Sequence, residues 1–151
     1  MHELFEHTAD VGIRGKGKTM KEAFSECGNA MLSVMYELKK VNPKEKVYIT
    51  IKADSLENLL INYLNEVLAQ KDLKEMAFQR ILVKRIEEKN KTRTKIIKEK
   101  QKEFFLKAEC FGEKLDLVKH SPKTEVKAAT YSGLKIEKKE NEFMVQCIAD
   151  V

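Results

Sequence analysis

Asp10 and Asp150 are the residues in this chain whose type and place most suggest chemistry. Of its 24 acids, 19 are Glu and only 5 are Asp, and Asp is disfavoured inside strands. Three of the five have visible duties: Asp54 can cap a helix, Asp72 lies in the turn after one, and Asp116 falls in a loop. Asp10 and Asp150 instead interrupt or end apolar strand patterns, Ala9-Asp10-Val11 and Ile148-Ala149-Asp150-Val151. If the first and last strands are neighbours, Asp10, Asp150 and the α-carboxylate of Val151 bring three sets of oxygen donors to one place. Such donors select a hard divalent cation, Ca²⁺ or Mg²⁺. His7, His120 and Glu125 are candidates for the surroundings of that site. His120 precedes Glu125 and Lys127, which period two puts on one side of a strand. The same residues also read as a loop histidine and a surface ion pair.

A second pattern points to different chemistry. Gly12-Ile13-Arg14-Gly15-Lys16-Gly17-Lys18-Thr19 satisfies the phosphate-cradling G-x-x-x-x-G-K-[ST] and precedes a helix, which makes a small P-loop-like nucleotide-binding enzyme an alternative. Its context is against it. Phe5 to Val11 is broken by Glu6, His7, Thr8 and Asp10, unlike a buried parallel strand, and no βαβ unit follows residue 70. The plain alternative is a pair of glycines at a strand turn, with Thr19 as the cap of a helix.

The elements that must position these residues read as follows. Residues 3–15 suggest two brief strands meeting at a bend marked by Gly12 and Gly15. Thr19 with Glu22 forms a capping box, and Met20, Ala23, Phe24, Cys27, Met31, Val34, Met35 and Leu38 follow at helical spacing. Asn42-Pro43 ends that helix, and Lys46 to Lys52 alternates as a half-buried strand. A second helix starts at Asp54 or Ser55 and runs to about Gln70, with an apolar arc wide enough to predict cover on more than one side. Strands follow at about 76–88, 95–112, 124–131, 133–139 and 142–149, with a polar turn at 89–95. This order predicts an α+β fold, two main helices on largely antiparallel sheet, in a single domain spanning 1–151.

Composition narrows the class. A chain of 151 residues, 42% hydrophobic and 35% charged, with 6 Gly and 2 Pro, is globular, neither disordered nor low in complexity. It shows no apolar run long enough to span a membrane and no apolar leader, which predicts a cytoplasmic protein. Cys27, Cys110 and Cys147 are far apart and read as buried reduced thiols, and the three histidines lack zinc-ligand spacing to them. Residues 84–107 carry ten Lys/Arg and four Glu, a balance of +6 within a chain of net +5. That segment reads either as a solvated hairpin or as a contact for RNA or an acidic partner, so a basic RNA-binding module is a further alternative.

Four blocks in order resemble the archease family: Phe5 to Ile13, Leu56 to Leu68, Lys119 to Tyr131, and the terminal Ala149-Asp150-Val151. The resemblance spans nearly the whole chain. It implies a non-enzymatic accessory protein of the GTP-dependent tRNA-splicing ligase of the RtcB type. That ligase joins RNA ends bearing a 2′,3′-cyclic or 3′-phosphate to a 5′-hydroxyl. By the resemblance, this protein promotes the ligase's histidine-GMP intermediate and its multiple turnover. Asp10, Asp150 and Val151 match the family's metal-binding positions, with Ca²⁺ the expected cation and Mg²⁺ or Mn²⁺ the others. Asp10, Lys127 and Asp150 match the positions that serve ligase activation. In this comparison Lys16 and Lys18 have no phosphate-binding part. Two departures stand out: Ser132 replaces a frequent His after the Tyr of Ala-Thr-Tyr, and residues 84–107 look longer and more basic than usual.

Overall fold

The structure is a computed structural model that describes residues 1–7, 10–92 and 100–151. Its strands are β1 (His2–His7), β2 (Asp10–Gly17), β3 (Glu45–Ala53), β4 (Met76–Thr92), β5 (Lys100–Lys114), β6 (Ala128–Lys139) and β7 (Glu142–Asp150). The helices are α1 (Met20–Met35), α2 (Leu56–Leu73) and a short α3 (Leu117–His120). All the described pairings are antiparallel. One sheet has the order β1-β2-β7-β6, the other β3-β5-β4, and α1 and α2 pack against both. The α+β reading therefore holds, and so does the expectation that α2 is covered on more than one side.

Helix starts follow their caps. Thr19 Oγ1 accepts from the Glu22 N–H at 3.1 Å while Glu22 reaches back to the Lys18 N–H at 2.8 Å. Ser55 Oγ accepts from the Asn58 N–H at 3.1 Å, so Ser55 and not Asp54 is the cap of α2. Of the stripe expected of α1, Ala23, Phe24, Cys27, Met31, Val34 and Met35 are buried and Met20 is half-buried, while Leu38 lies beyond the helix, which ends at Met35 and not at Asn42-Pro43. Leu59, Leu60, Tyr63, Leu64 and Val67 of α2 join them in one core. The Tyr63 hydroxyl is fully buried and donates to the Phe24 carbonyl at 3.0 Å, which ties the two helices together without leaving a stranded polar atom.

Several boundaries differ from the sequence reading. Gly12 and Gly15 lie inside β2 instead of at its bend, because a Cβ on Gly15 would strike the backbone of Ala23 and Cys27 in α1, and one on Gly12 would strike the Phe5 ring. Helix α2 continues to Leu73, past Gln70, taking in Asp72. β4 extends to Thr92, so much of the expected polar turn is strand, and residues 93–99 lie outside the described residues. The stretches 124–131 and 133–139 are not two strands. Residues 121–127 carry no regular structure, and β6 is one strand from Ala128 whose register shifts between Thr130 and Lys135, with Gly133 at φ +62°. Asp116 is the cap of α3.

Candidate metal and partner site

The first and last strands are neighbours. In the antiparallel pair β2–β7, Val11 faces Ala149, Gly12 faces Ile148, and Arg14 faces Gln146. Continued by one residue, this register sets Asp10 against Asp150 at the end of the sheet. Arg14 Nε donates to Gln146 Oε1 at 2.9 Å across the same face, so period two carries Asp10 and Asp150 onto the face shared by Arg14 and Gln146. On the far side of β7, Asp150 pairs with Ala128, and the Lys127 N–H donates to the Asp150 carbonyl at 2.8 Å. On the far side of β2, His7 pairs with Asp10 in the backbone ladder, and its side chain lies outside the described residues. Asp150 and Lys127 are exposed, Asp10 is half-buried, and Val151 packs partly against the core.

Lys127 is brought there by the segment before it. The Lys123 N–H donates to the Met35 carbonyl at 2.8 Å and the Thr124 N–H to the Val34 carbonyl at 3.3 Å, satisfying the last turn of α1. Val126 is buried. The upstream end is fastened by His120, which is fully buried. Its Nδ1 accepts from the Asp116 N–H at 2.9 Å, which leaves Nε2 as the donor to Glu113 at 3.1 Å. Glu113 also accepts from the Asn42 N–H at 2.6 Å and from Lys119 Nζ at 2.9 Å. The Asn42 N–H first, then Lys119 and His120, hold its carboxyl down at about 2 against an ordinary 4.5.

The sequence candidates therefore divide. Asp10, Asp150, Val151 and Lys127 meet at one sheet end. His120 does not orient those carboxylates, since both its ring nitrogens are committed to Glu113 and Asp116. Glu125 is exposed on irregular chain ahead of β6, so the expected strand alternation with Lys127 does not apply. Ser132 is exposed within the register shift of β6. The phosphate-loop pattern is also corrected. Gly12 to Gly17 is a strand paired with β7 along its length and with β1 as far as Gly15, and the Lys16 N–H donates to the Met1 carbonyl at 2.9 Å, so this stretch is extended ladder and forms no cradle. Cys27, Cys110 and Cys147 are buried and unpaired. Burial raises the Cys110 thiol to about 12, which makes it an inert core group.

Among the described residues, no group of three His, Cys, Asp or Glu side chains is placed to hold a metal ion. Two aspartates and a main-chain oxygen fit a hard cation only as part of its shell, since calcium takes six to eight oxygens and accepts water or a partner's atoms for the rest. The sequence reading also missed two asparagines that each complete an edge strand, one in this sheet and one in the other. Asn65 of α2 mimics a strand, accepting from the Ala129 N–H at 2.8 Å and donating to its carbonyl at 3.2 Å. Asn29 of α1 does the same for Ile81 of β4, at 2.7 and 3.4 Å. An Asn within an otherwise apolar helical stretch is the signal that marks them.

Comparison with known proteins decides the family. Residues 2–151 match the sequence model of the archease protein family (MTH1598/TM1083). The chain belongs to the archease family. It is 39% identical over 150 residues to protein archease of Pyrococcus abyssi, covering 99% of this chain and 97% of that one. A Drosophila melanogaster archease-like protein is 38% identical over 135 residues, 89% of this chain and 79% of the relative. The fold matches the solution structure of Methanobacterium thermoautotrophicum protein 1598 with a TM-score of 0.74 at 24% identity, over 99% of this chain and 98% of that one. A Thermotoga maritima archease, described as a possible chaperone, matches with a TM-score of 0.55 at 20% identity, over 100% and 98%. Among archease relatives, then, the shared feature is the whole fold, including both chain ends. No described helix is long and apolar enough to cross a membrane.

Proposed function

We propose that this archease is a non-enzymatic activator of a GTP-dependent RNA ligase of the RtcB type, acting through the sheet end that carries Asp10, Asp150 and Lys127. The observation that supports it most is the β2–β7 register, which aligns Asp10 with Asp150 while the Lys127 peptide bonds to Asp150. Two carboxylates abreast repel one another, and an oxygen-bound cation, Ca²⁺ in preference to Mg²⁺ or Mn²⁺, relieves that repulsion. Asp10 and Asp150 would hold it with a main-chain oxygen of Val151. When bound, the cation supplies positive charge that lets an acidic surface approach a partner's nucleotide phosphates. Lys127 is exposed beside the pair and presents a second cationic group to the same partner. The chemistry of ligation belongs to the ligase, and guanylylation and turnover are what this surface would promote.

Reconstitution with the cognate ligase, GTP, Mn²⁺ and an RNA carrying 3′-phosphate and 5′-hydroxyl ends tests the proposal. The ligase alone should stall near a single turnover, and adding this protein should give many turnovers. Equal product with and without it overturns the reading. Hydrolysis of GTP or ATP by the isolated protein, lost in Lys18→Ala, would favour the nucleotidase alternative instead.

A further inference from the structure

The three-stranded sheet has a second face that neither helix covers. Its inner face is apolar and buried, with Val47, Ile49, Ile81, Val83, Leu106 and Ala108 in the core. The register fixes what the opposite face presents, row by row: Lys46, Phe111 and Arg80; then Tyr48, Glu109 and Leu82; then Thr50, Lys107 and Arg85; then Lys52, Phe105 and Glu87; then Glu103 with Lys89. Cations therefore stand on all three strands and rings on β3 and β5, and the surface extends well beyond the basic run at 84–107.

The charges on this face are not balanced internally. Glu109 is taken by Lys46 at 3.5 Å, and Glu87 is paired with Arg85. Lys52, Arg80, Lys89 and Lys107 make no ion pair with an acid among the described residues. Three of these four lie instead over rings: Lys52 and Lys89 over Phe105 at 5.1 and 4.9 Å, Arg80 over Phe111 at 4.7 Å. Tyr48 is 71% exposed. Between the Phe105 and Arg85 rows lies a groove of about 400 Å³, lined by Thr50, Lys52, Arg85, Lys89, Phe105 and Lys107 together with Glu87, the acid that Arg85 pairs.

We propose that this face binds a single-stranded polynucleotide. Phosphates would be met by Lys52, Arg80, Lys89 and Lys107, and bases would stack on Tyr48 and on the Phe105 and Phe111 rings. Charge complementarity names a polyanion, and the rings choose among polyanions. Unpaired bases offer flat π-faces to an aromatic sheet surface, whereas the bases of a duplex are buried in its stack and an acidic peptide has no need of the rings. This surface belongs to the other sheet from Asp10 and Asp150, and the inference does not depend on the ligase reading.

Fluorescence anisotropy on the protein alone tests it, with labelled 12-nucleotide oligouridine, oligothymidine and a duplex of equal length, each at two salt concentrations. The expected order is single strands bound more tightly than duplex, with the RNA and DNA arms showing which sugar is preferred. Tyr48→Ala should weaken single-strand binding about tenfold, within the range base stacking gives. Reversing Lys52 and Lys107 to Glu should weaken it further and lower the salt slope by about 1.4, from about 0.7 for each phosphate contact on a single strand. All three side chains are exposed, and unchanged melting confirms folding; Arg80→Glu replaces the double variant if that one fails to fold. Equal affinity for duplex and single strand with Tyr48→Ala silent, no binding at all, or displacement by polyglutamate at concentrations below those of the oligonucleotide would each overturn the proposal.

Discussion

The β2–β7 register, continued by one residue, sets Asp10 against Asp150, so their mutual repulsion is a measurable property. Like charges directly opposed on a sheet cost about 0.2–1 kcal/mol. In chelator, Asp10→Asn should therefore raise the melting temperature by about 1 to 3 °C. Added Ca²⁺ should stabilise the natural protein and leave Asp10→Asn where it was; equal shifts in both would remove the cation from this site. Glu113 makes the opposite kind of case. Its carboxyl is depressed to about 2 from 4.5 by the Asn42 N–H, Lys119 and His120, so the stability it adds is present above its unfolded value and is lost as pH falls from about 5 to about 2. Glu113→Gln should melt lower at pH 7 and show a flatter acid limb. An unchanged melting curve at both ends of the pH range would mean that the cluster does not anchor the segment leading to Lys127.

At the level of elements, the helices do more than fill the space between sheets. Asn29 and Asn65 each turn a helix side chain into the missing partner of a strand, and Ser25 Oγ adds a third such contact by accepting from the Val83 N–H at 2.8 Å. Edge strands otherwise offer unpaired N–H and C=O groups to other chains. Replacing Asn65 by Ala leaves the Ala129 amide without its acceptor beside the Asp150 strand, and should cost about 1–3 kcal/mol in urea denaturation. Asn29→Ala should cost a similar amount and speed hydrogen exchange at Ile81. Loss of less than about 0.5 kcal/mol in both would show that water substitutes for the asparagine at no penalty. These contacts explain why α2, which reads as a merely greasy helix, carries an Asn that faces a strand.

For the whole molecule, the fold class, both main helices and their caps were legible, because Thr19-x-x-Glu22 and Ser55 are local signals and the apolar spacing is long and regular. Ser132-Gly133 misled, since a turn signature and a strand register shift use the same residues, and only the partner β7 tells them apart. Helix α3 was invisible: four residues with Leu117 and Val118 exposed carry no period. The pairing of Asp10 with Asp150 was a conditional statement in the sequence, as strand order is a property of the sheet and not of either segment. The likeness to archease supplied the roles, and the register supplied the neighbourhood. What neither local pattern nor family likeness disclosed was the cation and ring pattern of the β3-β5-β4 face, which exists only once three distant segments are in register. The sheet end stands or falls on the number of ligation turnovers per ligase in the presence of Asp150→Ala or Lys127→Ala protein of unaltered melting behaviour. We expect stimulation to fall at least tenfold with either; full stimulation by both would show that this sheet end takes no part in activation.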